Sequence, residues 1–299
     1  MMRIFLTGGS GYFGSNLIPR LLEAGHKPVC LIRKGSESKI EKYLNDIEII
    51  SGGISDLSSW KDQLKDIDAV MNLIGIIREF PSRGITFKRL HYETTKILAD
   101  LAMEIGVKRF IQMSALGASP DSKSGYHRTK YMAEQYLQKT ELDWTILRPS
   151  FIIGKGNDFV ETVTNLMDSA PLFPIIGNGE YRMQPVDIDN VTAGFVQALT
   201  NDKTIGKIYE IGGPDRFSYK QMIDLIAQAR GKKARKVHMP IFLMKSIAGA
   251  FEYFKSFPLT KSQINMLLEE NFTDSREYFE DFDIKPIIFD ESIRKALSQ

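Results

Sequence analysis

Cysteine is all but missing from this chain: Cys30 is the single one in 299 residues. No internal disulfide can form, and its place in the apolar run Pro28 to Ile32 reads as a small core residue in a reducing compartment, with a reactive thiol as the alternative. Histidine is scarce too. His26, His91, His127 and His238 stand apart without the spacing of metal ligands, which argues against a zinc or iron site. A net charge of only +2, in a composition 43% hydrophobic and 25% charged, is ordinary for a globular protein and excludes a global attraction to nucleic acid. No apolar run reaches membrane-spanning length. The first strand candidate opens near the third residue and leaves no room for a cleavable leader, so the expectation is a cytoplasmic protein. Repeats and low-complexity tracts are absent. The length suits one large α/β domain, or a main domain with a smaller appendage.

What is present begins at Arg3-Ile-Phe-Leu-Thr7-Gly8-Gly-Ser-Gly11-Tyr-Phe-Gly14, an apolar run that passes into three glycines at three-residue spacing. A buried strand fixes such a loop, one glycine makes the tight turn and a second admits a pyrophosphate to the backbone. The third lets the next helix pack close to the sheet. The amphipathic run Ser15 to Ala24 follows at once, so a nucleotide site outweighs a plain turn.

Short β-rich runs then alternate with helical ones, the pattern of a parallel sheet covered on both faces. The strand candidates are 4–7, 29–33, 47–51, 69–74, 110–114 and 145–147, and the helix candidates 15–24, 57–64, 86–104 and 130–139. Pro19 removes an N–H inside the first helix and predicts a kink or a tolerated local fault. After Arg148-Pro149, glycine and proline become denser and a second lobe is expected. Residues 184–199 read as a strand and helix returning to the main sheet, and 207–212 as a further strand. A helix follows with Ser218 as N-cap, Gln221 completing a capping box and Gly231 as its stop. The aromatic and methionine-rich runs 242–257 and 264–268 read as helical packing of the small lobe. The division is therefore a dinucleotide-binding domain over 1–150 with a return segment at 184–212, and a small, mostly helical lobe from 151–183 and 213–299.

Two further signals concern chemistry. At the end of the second strand, nineteen residues after Gly14, an NAD-selective site places a carboxylate for the ribose 2′-hydroxyl, whereas this chain has Arg33-Lys34. A cation pair there favours a 2′-phosphate, hence NADP(H) over NAD(H), unless both side chains are merely solvated. Tyr126 and Lys130 stand four apart and share one face of a helix. A nearby ammonium lowers a phenol toward the range useful for proton exchange with a carbonyl or alcohol.

Together these stretches resemble the short-chain dehydrogenase/reductase superfamily over nearly the whole chain. Thr7-Gly8-x-x-Gly11-x-x-Gly14, Asn72-Leu-Ile-Gly75, Tyr126-x-x-x-Lys130 and Arg148-Pro149-Ser150 stand in that family's order, at the spacings of its extended and atypical members. Gly75-Ile-Ile-Arg78-Glu79, Thr86-Phe87, Ser114-Ala-Leu-Gly117-Ala118, the run Trp144 to Ser150 and Gln184-Pro-Val resemble more narrowly the atypical subgroup named for the nucleotide-binding accessory subunit of respiratory complex I. The resemblance implies an α/β Rossmann fold with a doubly wound parallel sheet of about seven strands and a small C-terminal lobe. It further implies that Gly8, Gly11, Phe13 and Gly14, headed by Thr7, hold the pyrophosphate, and Arg33 with Lys34 the adenosine ribose. Asp56 and Leu57 would line the adenine, and Leu73 and Gly75 would flank the cofactor. Ser114, Tyr126 and Lys130 would surround the nicotinamide, with Pro149 and Phe151 against its ring. Two positions depart from the family pattern. Gly52-Gly53 replaces the Gly-Asp of many relatives, and Ala115 stands where extended enzymes carry the catalytic serine, which leaves Ser114 on the opposite side of a regular strand.

Other charges have two readings each. Arg78 and Glu79 face the substrate mouth or form a loop ion pair. Arg182 meets an anionic substrate or links the lobes. Arg230, Lys232, Lys233, Arg235 and Lys236 touch anionic lipid or a protein partner, or form a solvated helix end, and the apolar run 241–254 docks on a membrane surface or packs the small lobe. The function expected is an NADP(H)-dependent oxidoreductase or epimerase-like enzyme on a small carbonyl or alcohol, with Tyr126, Lys130 and Ser114 as catalytic candidates. The alternative is a non-catalytic NADP(H)-binding protein that works through a partner.

Overall fold

A computed structural model describes residues 1–252, 259–270 and 272–298. In chain order its elements are β1 (Arg3–Thr7), α1 (Tyr12–Glu23), β2 (Lys27–Ile32), β3 (Glu48–Ser51), β4 (Ala69–Asn72), α2 (Thr94–Glu104), β5 (Arg109–Met113), α3 (Gly125–Leu137) and β6 (Asp143–Pro149). There follow β7 (Ile152–Ile153), α4 (Asp158–Ser169), β8 (Phe173–Ile176), β9 (Arg182–Met183), β10 (Val186–Asp187), α5 (Ile188–Ala198), β11 (Lys207–Ile211), β12 (Phe217–Ser218) and α6 (Tyr219–Ala229). The last are β13 (Lys236–Met239), α7 (Ile241–Phe251), α8 (Lys261–Leu268), α9 (Arg276–Asp281) and α10 (Phe289–Leu297).

Seven strands form one parallel sheet in the order β11-β6-β5-β4-β1-β2-β3, the doubly wound Rossmann arrangement the sequence implied. Its strands are apolar on both faces. In β1, Ile4 and Leu6 enter one layer and Phe5 the other. The first layer packs α1 and α5 against the sheet through Leu17, Ile18, Leu21, Val191 and Phe195; the second packs α2 and α3 through Leu98, Ala102 and Leu137. The chain reverses direction across the sheet between β1 and β4, so their carboxyl ends open a crevice.

Several sequence expectations are corrected by packing. The helix expected over 57–64 is two short 3₁₀ turns, Leu57–Ser59 and Lys61–Gln63. Trp60 between them takes a non-helical φ of −139°, buries its indole against Phe5 and donates Nε1–H to the Gly53 carbonyl. The helix expected from 86 opens with a π-helical turn, Lys88–Glu93, before α2. That expected from 130 begins earlier, because Ser124 caps α3 by accepting the Tyr126 N–H. At Pro19 the second of the two expectations holds, a tolerated local fault, and α1 runs through it. The strand at 184–199 does not return to the main sheet: β10 pairs with β7 in a separate two-stranded sheet, and only α5 covers the main one.

The small lobe packs α4, α6 and α10 around the parallel β8–β13 pair, with α7 and α8 beside it. Its α6 carries the expected Ser218–Gln221 capping box, and Gly231 takes the left-handed φ of +68° just past the helix. The C-terminal part does not belong wholly to this lobe. Helix α9 returns to the large domain, where Tyr278 and Phe282 pack on Tyr209 and Tyr278 donates its hydroxyl to the Asn190 carbonyl. Of the apolar run 242–257, residues 253–257 lie outside the described residues.

Candidate dinucleotide site

The glycine loop is built around close approaches. Thr7 ends β1 fully buried, its hydroxyl donating to Asn72 Oδ1 at 2.8 Å and so tying β1 to β4. Gly8 has φ of +77°, and a Cβ on it would lie 3.0 Å from the Leu73 carbonyl carbon. At Gly14 a Cβ would lie 2.6 Å from the Gly9 Cα, so only glycine lets α1 reach the loop. A Cβ on Gly11 would meet nothing but the Gly8 carbonyl oxygen, at 3.2 Å. Beyond it is open space, bordered by the first-turn N–H groups of α1, which have no intrahelical acceptor and no side-chain cap. The phenyl ring of Phe13 is buried on Phe195, so only its backbone borders that space.

Arg33 and Lys34 follow β2, exposed, with no ion pair among the described residues. Beyond β3, Trp60 packs so closely over Gly52 that a Cβ there would lie 2.7 Å from its ring, while nothing lies within 4 Å of one on Gly53. The Gly-Gly pair thus has a packing reason at its first position only. Asp56 is exposed in this loop and Leu57 is half-buried.

At the crevice centre Gly75, Tyr126 and Lys130 come together. Lys130, buried on α3, donates Nζ–H to the carbonyls of Met113 at 3.0 Å and Ile74 at 3.5 Å. A Cβ on Gly75 would lie 3.1 Å from that nitrogen. Burial lowers Lys130 to about 8. The Tyr126 phenol, instead of being lowered by the ammonium as expected, is pushed up to about 12 by burial. Leu73, buried beside Gly8, donates its N–H to the Thr7 carbonyl.

Two candidates turn away from this point. The Ser114 hydroxyl donates to Glu134, whose carboxylate also pairs with Arg148 at 2.6 Å beneath the helix. The Phe151 ring stands edge-on to Phe159 of α4, in the core of the small lobe. Pro149 ends β6, and its carbonyl accepts the Leu116 N–H.

Three residues not assigned a site role from the sequence belong to the surroundings. His91, on the π turn, bonds Thr129 Oγ1 and the Ile76 backbone and lies edge-on to Tyr126 at 5.1 Å; burial and the Lys130 charge hold it well below the usual histidine range. Phe87 stands edge-on to Tyr126 at 5.9 Å. Glu269, from the end of α8, accepts the N–H of Lys123 and Ser124, the Ser122 hydroxyl and a contact from His127 Nδ1 at 2.9 Å, joining the small lobe to the start of α3. A fourth, Glu134, had a signal in the sequence, falling one helical turn after Lys130.

Most of the peripheral charges have partners within the chain. Arg78 donates to the Glu252 carbonyl oxygen and Glu79 accepts the Phe87 N–H. Arg182 pairs with Glu270 and stacks on Phe272, within the small lobe. Arg230 and Lys232 pair with Asp168, and Lys236 with Asp224.

A glycine-rich turn between strand and helix, opening at the reversal point of a parallel sheet, defines a dinucleotide-binding protein of the Rossmann class. The chain belongs to the NAD dependent epimerase/dehydratase family, whose profile matches residues 4–212. The cofactor class is therefore a nicotinamide nucleotide. Among similar proteins is the mitochondrial NADH dehydrogenase [ubiquinone] 1 alpha subcomplex subunit 9 of Arabidopsis thaliana, 29% identical over 295 residues that cover 93% of this chain and 73% of that protein. Another is the photosystem II assembly factor Ycf39 of a Synechocystis strain, 23% identical, covering 85% of this chain and 76% of that one. In fold, a UDP-glucose 4-epimerase of Thermotoga maritima superposes with a TM-score of 0.78 at 22% identity, over 99% of this chain and 97% of that one. No helix among the described residues is long and apolar enough to cross a membrane.

Proposed function

We propose that the protein is an NADP(H)-dependent oxidoreductase or epimerase-like enzyme acting on a small carbonyl or alcohol. The observation that carries this reading is the placement of Tyr126 and Lys130 on one face of α3, with Lys130 Nζ against Gly75 where the nicotinamide ribose would lie. The nicotinamide supplies or accepts hydride when bound. The backbone of Gly8, Gly11, Phe13 and Gly14 would carry the pyrophosphate, Arg33 and Lys34 a 2′-phosphate, and Asp56 and Leu57 the adenine, while Leu73 and Gly75 would flank the cofactor. Lys130 would hold the ribose, and its ammonium would favour the phenolate of Tyr126 once substrate has displaced water. Tyr126 then gives or takes the proton at the substrate oxygen.

The reading is tested by mass spectrometry of nucleotide released from the purified protein and by turnover of NADPH with a panel of aldehydes and ketones. Tyr126→Phe is expected to keep cofactor affinity and lose about 10²–10⁴-fold in turnover. Wild type and variant turning over alike would remove Tyr126 as the catalyst.

A second reading has its own support. The Ser114 hydroxyl is committed to Glu134, Ala115 fills the usual serine position, and two similar proteins are named as a respiratory-complex subunit and an assembly factor. On that reading the protein binds NADP(H) and acts through a protein partner, and Tyr126→Phe is silent in turnover, growth and partner association alike.

A further inference from the structure

We propose that Glu134 is a positioning residue for the Tyr126–Lys130 pair: its buried carboxylate, one turn below Lys130, pins α3 to β5 and β6 and is the counter-charge of the Lys130 ammonium. The inference rests on the reading that Lys130 holds the cofactor. Tyr126, Lys130 and Glu134 follow at four-residue steps along one face of α3. Glu134 is fully buried. Its oxygens receive the Ser114 hydroxyl from the end of β5 and both Nε and Nη2 of Arg148 on β6, at 2.9 and 2.6 Å. Arg148 reaches on to Glu210 of β11 at 3.2 Å, and Glu210 accepts the Thr273 hydroxyl. Charges thus alternate from Lys130 through Glu134 and Arg148 to Glu210, with Glu134 between buried Lys130 and half-buried Arg148.

A carboxylate is a poor choice if α3 needed only a pin, because a buried ion pair replaced by apolar side chains of similar volume is often neutral or stabilising. Its charge explains it. Lys130 must remain protonated inside a pocket whose burial favours the neutral amine. The titratable groups facing it are Tyr126 and Glu134 on its own helix and His91 from the π turn, while β4 and β5 contribute the carbonyls of Ile74 and Met113. Of these, Glu134 alone carries negative charge. This also accounts for Ser114, whose hydroxyl serves the carboxylate and not the substrate.

The test is the pH dependence of NADPH binding, followed by fluorescence titration between pH 6 and 10 on folded protein. Wild type is expected to lose affinity as pH rises through about 8, where Lys130 gives up its proton. In Glu134→Gln the midpoint moves down by about one pH unit. Glu134→Asp, which keeps the charge, restores the wild-type midpoint. Should Glu134→Gln not fold, the pair Glu134→Met with Arg148→Met removes that ion pair as a unit, leaves Lys130 as the one buried charge without its counter-charge, and shows the same downward shift, since the Glu134 charge supports Lys130 directly. A midpoint equal to wild type in either variant overturns the inference. Lys130→Arg abolishes the transition altogether; a transition that persists there overturns the cofactor reading, and this inference with it.

Discussion

Arg33 and Lys34 are two exposed cations at the strand end where the cofactor's adenosine ribose would lie, and their charge is available to a 2′-phosphate. Charge-assisted hydrogen bonds contribute roughly 1.5–3 kcal/mol, so replacing both by alanine is expected to weaken NADPH binding about 10–100-fold and leave NADH binding unchanged. Equal affinity of wild type for the two nucleotides would refute the preference. Gly11 and Gly14 separate binding from folding in the same loop. Gly11→Val leaves a soluble, folded chain that binds no nucleotide, because its side chain enters the open space before α1. Gly14→Ala lowers the melting temperature as well, since its Cβ presses on the Gly9 backbone. These glycines and the Tyr126–Lys130 step were legible because their meaning is local spacing. Glu269, His91 and the turn of Ser114 toward Glu134 were not, because each depends on which distant segment packs beside it.

The elements of the large domain were legible for a related reason. Strands apolar on both faces and helices with one apolar stripe announce themselves in a parallel sheet. Where expectation failed, one bulky side chain decided. Trp60 abandons helical geometry to fill the space between Phe5 and Gly52, and the run 57–64 breaks around it. Trp60→Ala is accordingly expected to cost about 3–5 kcal/mol in denaturant unfolding, measured at unchanged m-value. A loss under 1 kcal/mol would mean that the loop closes without its indole. The π turn before α2 illustrates the same limit, since the extra residue that carries His91 toward Tyr126 leaves no mark in hydrophobic periodicity.

For the whole molecule, buried histidines contribute to the response to acid. Burial holds His91 and His127 below the ordinary value of 6.5, so the unfolded chain binds more protons than the folded one as pH falls through that value. Stability is present above about pH 6.5 and is lost below it, and the melting temperature is expected to drop between pH 7 and 5. His127→Gln should flatten that decline, and an unchanged profile in the variant would exclude His127 as a contributor.

The chain passes between its lobes repeatedly: out after β6, back with α5, out again after β11, back with α9 and out with α10. The main sheet therefore gains its last strand only at residues 207–211, and the layer over it is completed only by α9. The side of the sheet that carries Tyr209 stays bare until Tyr278 and Phe282 have been made. A chain that ends before them is expected to leave that aromatic face uncovered, since Tyr209 then lacks both ring partners.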